Sequence, residues 1–94
     1  MEKELIYSVE DDDNIRDLIK YTVEEAGFNI ECFSNGKDML EALKNNIPSL
    51  ILLDIMLPDM EGTDILKIIR TDYAHLPIKV IMLTAKSSEI NIVT

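Results

Sequence analysis

The chain has no tryptophan, a single cysteine, a single histidine and only three glycines, and its nine Lys and Arg are outnumbered by 18 Asp and Glu. Each shortage excludes something. One thiol, Cys32 between Glu31 and Phe33, makes neither an internal disulfide nor a thiolate metal cluster, which fits a reducing compartment. One histidine, His75, without a His or Cys neighbour, gives no basis for a histidine metal site or proton relay and reads as a surface residue. A net charge of -9 repels phosphate backbones and anionic lipid, so direct contact with nucleic acid or a membrane surface is not expected, whereas divalent cations and basic partners are favoured. No apolar run approaches the length of a membrane span. The N-terminal Met-Glu-Lys-Glu lacks the basic region and long apolar segment of a signal peptide, so a cytoplasmic location is expected.

What is present is a core-forming composition. At 47% hydrophobic and 29% charged, the 94 residues are too apolar for a disordered acidic tail and are of the size of one small domain. The five methionines read as core and loop filling. Leu5 to Val9 is a short β-prone run that stops at Glu10-Asp11-Asp12-Asp13, as a buried strand does on entering a polar loop. Ile15, Leu18, Ile19, Thr22, Val23 and Ala26 then recur at helical spacing, with Asp13 or Asn14 as the cap and Gly27 as the stop. Asn29 to Phe33 reads as a second strand. The turn Ser34-Asn35-Gly36 leads into a helix carrying Met39, Leu40 and Leu43, which Asn45-Asn46-Ile47-Pro48 ends. Ser49 to Leu53 is the most apolar run and suits a strand buried on both faces; it too ends in a carboxylate, Asp54. After a loop from Ile55 to Gly62, a third helix holds Ile65, Leu66, Ile68 and Ile69. Lys79 to Leu83 follows as a fourth strand ending at Thr84.

The order β-α-β-α-β-α-β, with crossovers of this length, predicts a doubly wound parallel α/β sheet. Ala85 to Thr94 reads as the start of a fourth helix capped by Ser87 or Ser88, ending before it returns to the sheet.

Ligands of open parallel sheets gather beyond the carboxyl ends of the strands. There the first strand delivers Glu10 and Asp11, the third Asp54 and the fourth Thr84. Carboxylates packed together raise one another's pKa unless a cation joins them, and oxygen ligands without His or Cys favour a hard ion, magnesium. Taken singly, the Glu10 to Asp13 run reads as a solvated face, Asp54 as a turn former and Thr84 as an ordinary β-branched strand end. Their joint spacing decides for a site. Asp12, Asp13, Asp59 and Glu61 are expected to be solvated loop acids that coordinate nothing.

Three segments carry a resemblance to a known family. Val9-Glu10-Asp11-Asp12, Asp54-Ile55-Met56-Leu57-Pro58-Asp59-Met60-Glu61-Gly62 and Met82-Leu83-Thr84-Ala85, in this order and at these strand ends, resemble the receiver domains of two-component response regulators. The middle segment looks most like receivers attached to winged-helix transcription factors. The resemblance implies a flavodoxin-like, CheY-like fold of strand order 2-1-3-4. It also implies that Asp54 accepts a phosphoryl group from a phosphohistidine on a sensor histidine kinase. Magnesium would be held by Asp11 and Asp54 directly, by Glu10 through water and by the backbone carbonyl of Met56, and the Thr84 hydroxyl would switch onto the phosphoryl group.

Such receivers continue to a fifth strand ending in Lys-Pro and a fifth helix. Neither Lys86 nor Lys79 stands where that Lys belongs. Residues 1–94 are therefore expected to be a receiver domain incomplete at its C-terminus. Val80 to Leu83 would then be an apolar edge strand and the first helix would be left uncovered, predicting self-association through both, with the 85–94 tail exchanged between chains. Two other functions compete. A magnesium-dependent aspartyl phosphatase is expected to carry a second Asp two residues after the nucleophile, where this chain has Met56. A phosphorylation-independent scaffold fragment remains the third reading.

Overall fold

The computed structural model describes residues 3–55, 57–83 and the backbone of 90–93. The elements are β1 (Leu5–Val9), α1 (Asp13–Glu25), β2 (Asn29–Phe33), α2 (Gly36–Leu43), β3 (Leu50–Asp54), α3 (Gly62–Asp72), β4 (Lys79–Leu83) and β5 (Ile90–Val93). They form one sheet in the order β2-β1-β3-β4-β5. The first four strands are parallel, as the apolar runs and crossover lengths predict. β5 pairs antiparallel with β4, Val80 opposite Val93 and Leu83 opposite Ile90.

That pairing corrects two expectations. The tail does return to the sheet, and β4 is not an edge strand. A short antiparallel return needs no helical crossover, so it satisfies the outer backbone groups of β4 within the length of chain available. Ser87 and Ser88, the caps expected for a fourth helix, lie outside the described residues.

Side-chain alternation builds the core. The register sets Tyr7, Ile51 and Val80 in one row across the sheet and Val9, Leu53 and Met82 in the next. Both rows meet Met39 and Leu43 of α2 and Ile65 and Ile69 of α3 in one buried cluster. Residues two apart in a strand share a face, so these rows point to the same side. The Tyr7 hydroxyl ties the cluster to the end of α2, donating to the Asn46 carbonyl at 2.8 Å and to that of Ala42 at 3.3 Å.

The chain moves one way from β1 to β2 and the other way from β2 to β3. Right-handed crossovers therefore put α1 on one face and α2 and α3 on the other. α1 lies against β1 and β2, yet none of its residues is fully buried. Ile15, Leu18 and Tyr21 are exposed on it, and Leu50, Leu52 and Ile81 of the adjoining strands are only half-buried. Among the described residues α1 therefore presents an exposed apolar face. No helix among the described residues is long and apolar enough to cross a membrane.

Candidate functional site: an acidic cluster at the carboxyl ends of β1 and β3

β1 and β3 are neighbours whose outgoing connections run to opposite faces. The crevice beyond their carboxyl ends is the place where an open α/β sheet leaves room for a ligand. Three of the expected site residues meet there. Glu10, Asp11 and Asp54 each offer a carboxylate oxygen within 4.8 Å of the others. Glu10 and Asp54 are each only 6% exposed, whereas Asp11 opens to solvent.

Backbone hydrogen bonds fix these positions. The Glu10 N–H donates to the Phe33 carbonyl at 3.0 Å, extending the β1–β2 ladder by one residue, and the Ile55 N–H donates to Leu83 at 3.1 Å, doing the same for β3 and β4. The Gly62 N–H then closes the loop after Asp54 by donating to the Ile55 carbonyl at 2.9 Å. Only glycine permits that closure: a Cβ at residue 62 would lie 2.9 Å from both the Asp54 carbonyl oxygen and the Ile55 Cα.

The electrostatics of the cluster are unfavourable to full ionisation. Burial, a hydrogen bond with Asp54, and the charges of Asp54, Asp11 and Asp12 push Glu10 from 4.5 up to about 8. Arg16 stands close by, but its guanidinium donates to the Glu10 carbonyl at 3.0 Å and the Asp11 carbonyl at 3.4 Å and pairs with Asp13. The donor set is all oxygen, two of its members are buried and one is open to water. That set fits a hard divalent cation that keeps part of its hydration shell.

Met56 and Thr84, the two remaining expected site residues, lie outside the described residues. His75 is exposed, as expected of a surface residue, and Cys32 is a half-buried free thiol whose pKa burial raises.

The loop acids Asp12, Asp13, Asp59 and Glu61 are exposed, as expected, but the cap assignment needs correction and Asp59 has a further role. Asp12, not Asp13 or Asn14, caps α1: its carboxylate accepts from the N–H groups of Asn14 and Ile15 at 2.9 and 3.1 Å. Asp13 falls inside the first turn and pairs with Arg16. Asp59 accepts from the N–H groups of Gly36 and Lys37 at 3.0 and 2.9 Å, and these backbone hydrogen bonds, Gly36 first, hold its carboxyl below the usual range. A residue three places before a helical pattern signals a cap, and Asp12 carried that signal. No local signal could have linked Asp59 to a helix that starts 23 residues earlier.

The sheet order and acidic cluster define a doubly wound α/β module with a carboxylate site at the carboxyl ends of its strands, and comparison with known proteins gives the family. The response regulator receiver domain pattern matches residues 6–94, and the chain belongs to that family. It is 32% identical over 91 residues to the transcriptional regulatory protein CreB of Escherichia coli, covering 97% of this chain and 39% of CreB. It is 38% identical over 87 residues to the DNA-binding transcriptional regulator NtrC of Proteus hauseri, covering 93% of this chain and 18% of NtrC. The chain thus spans well under half the length of these two relatives.

Among solved structures, the response regulator TrrA of Thermotoga maritima, in complex with Mg2+-BeF, superposes with a TM-score of 0.81 at 33% identity, covering 89% of this chain and 71% of TrrA. The receiver domain from Methanoculleus marisnigri gives 0.80 at 40% identity, covering 88% and 68%.

Proposed function

We propose that this chain is a phosphorylation-controlled signalling switch in which Asp54 accepts a phosphoryl group from a sensor histidine kinase. The observation that carries the reading is the convergence of Glu10, Asp11 and Asp54 within 4.8 Å at the carboxyl ends of β1 and β3. An Asp54 carboxylate oxygen attacks phosphorus, the P–N bond of the phosphohistidine breaks, and the imidazole nitrogen leaves with the electron pair. Asp11 and Asp54 would hold Mg2+ directly, Glu10 through water and Met56 by its backbone carbonyl. The ion would offset the charge gathered between the carboxylates and the phosphoryl oxygens. Thr84 would donate its hydroxyl to a phosphoryl oxygen and so report the modification.

The chain is on this reading a substrate of its kinase more than an enzyme. Its signal passes to a DNA-binding output domain elsewhere in a longer protein, a role supported by the transcription regulators among its relatives. The domain itself binds neither nucleic acid nor membrane, in keeping with its net charge of -9, and works in the cytoplasm. It self-associates through the exposed face of α1; the β4 edge, covered by β5, plays no part.

The test is incubation with acetyl phosphate and magnesium, read by intact mass. Wild type should gain one phosphoryl group, about 80 Da, and Asp54→Asn should gain none. A folded wild-type sample without the adduct would favour the scaffold reading instead. Steady turnover of an aryl phosphate would favour the phosphatase.

A further inference from the structure

The loop from Ile55 to Glu61 starts at the proposed phosphoacceptor and ends at α3, and it is held at both its base and its tip. At the base lie the Ile55 N–H to Leu83 and Gly62 N–H to Ile55 hydrogen bonds. At the tip, both oxygens of the exposed Asp59 carboxylate are engaged, one by the N–H of Gly36 and the other by that of Lys37.

These donors are the first two N–H groups of α2, which have no acceptor within the helix. The helix has its own local cap, Asn35, whose side-chain oxygen takes the third, the N–H of Asp38, at 2.9 Å. Capping α2 therefore does not account for Asp59 alone. Met60 follows it into contact: a Cβ on Gly36 would lie 2.8 Å from the Met60 Cγ. The tip of the loop and the first turn of α2 are one packed unit.

We infer that Asp59 is a positioning residue for the metal and phosphoryl site, anchoring the loop that follows Asp54 to the start of α2. This rests on the proposed role of Asp54 and of the Met56 carbonyl as a magnesium ligand. With base and tip fixed, Ile55 and residues 57–61 hold their places before the ion arrives. A loop fixed only at its base must be ordered by the ion, and the affinity falls accordingly.

The test compares wild type, Asp59→Ala, Asp59→Asn and Tyr7→Phe. Tyr7→Phe removes the hydroxyl that ties β1 to the end of α2 opposite the one Asp59 caps, and controls for a general loss of stability. Two quantities are read. One is magnesium affinity, from amide chemical shifts during MgCl2 titration with no phosphoryl donor present. The other is the dependence of acetyl phosphate labelling on magnesium.

Asp59→Ala should raise the half-saturating magnesium concentration about tenfold, at the low end of what supporting residues of metal sites contribute, and leave the maximal labelling rate within about twofold. Asp59→Asn, which keeps one acceptor oxygen, should recover at least part of the affinity, and Tyr7→Phe should match wild type. Equal magnesium affinity in wild type and Asp59→Ala would overturn the inference, and so would an equal loss in Tyr7→Phe. If wild type binds magnesium but takes no phosphoryl group, the role of Asp54 fails while the titration still decides that of Asp59. If wild type binds no magnesium, both fail.

Discussion

Glu10 is the residue at which site and stability pull in opposite directions. In the unfolded chain its carboxyl ionises near 4.5, and in the fold burial and the neighbouring acids raise that to about 8. Between those values the folded chain keeps a proton that the unfolded chain has released. The contribution of Glu10 is then complete below the lower value, declines as pH rises, and levels off above the upper one. Without metal, the melting temperature of wild type should fall from about pH 5.5 to 8.5 more steeply than that of Glu10→Gln, and added magnesium should narrow the gap. Parallel melting curves would show that the acids do not repel as their geometry requires. Glu10 and Asp54 were legible in the sequence because a carboxylate at the end of an apolar strand has one place to go, the crevice beyond the sheet. Asp59 was not: its partners are backbone N–H groups of another element, and backbone groups leave no residue-type signature.

At the scale of elements, the joint between β3 and α3 carries the most consequence. Gly62 lets the first turn of α3 sit directly on the backbone of Asp54 and Ile55. Gly62→Ala would press a methyl group against two backbone atoms that have no rotamer to retreat into. The expected cost is about 1–3 kcal/mol in urea unfolding, together with slower labelling of Asp54, whose own carbonyl must move. Recovery of the full labelling rate in a folded Gly62→Ala sample would show that the joint does not govern the acceptor. The elements from β1 to β4 were readable from periodicity and turn residues: β2 and β4 begin and end where the sequence reading places them, and Gly27, at φ 96, is the stop of the first helix. The cap of α1 was read at Asp13 or Asn14, one or two residues late, although Asp12 stands three places before Ile15, where the cap signal falls.

For the whole molecule, the sheet is closed on the α2–α3 face and open on the α1 face. Ile15, Leu18 and Tyr21 stand 47%, 64% and 64% exposed there, an apolar face of the kind that marks a contact surface. The charge of -9 opposes pairing of two copies at low ionic strength and is screened by salt. Sedimentation should therefore show a dimer fraction that grows with both protein and salt concentration, and Leu18→Glu should abolish it. A wild-type chain that stays monomeric at high concentration and high salt would exclude this surface. The parallel order followed from alternating β and α patterns, whereas β5 escaped notice. Ile90 to Val93 is a four-residue run, too short for periodicity to separate a strand from the start of a helix, and its pairing is settled only by the vacant edge of β4.

β5 also differs from the other strands in how it is joined to the sheet. Each parallel pair is linked through a helix, so breaking it means undoing a crossover. Only residues 84–89 separate β4 from β5, and a partner so near in sequence can detach and rejoin while the parallel pairs stay intact. Each detachment lays bare the unpaired backbone of Val80 to Leu83, so the fold's aggregation risk is set less by its global stability than by how often this one hairpin opens.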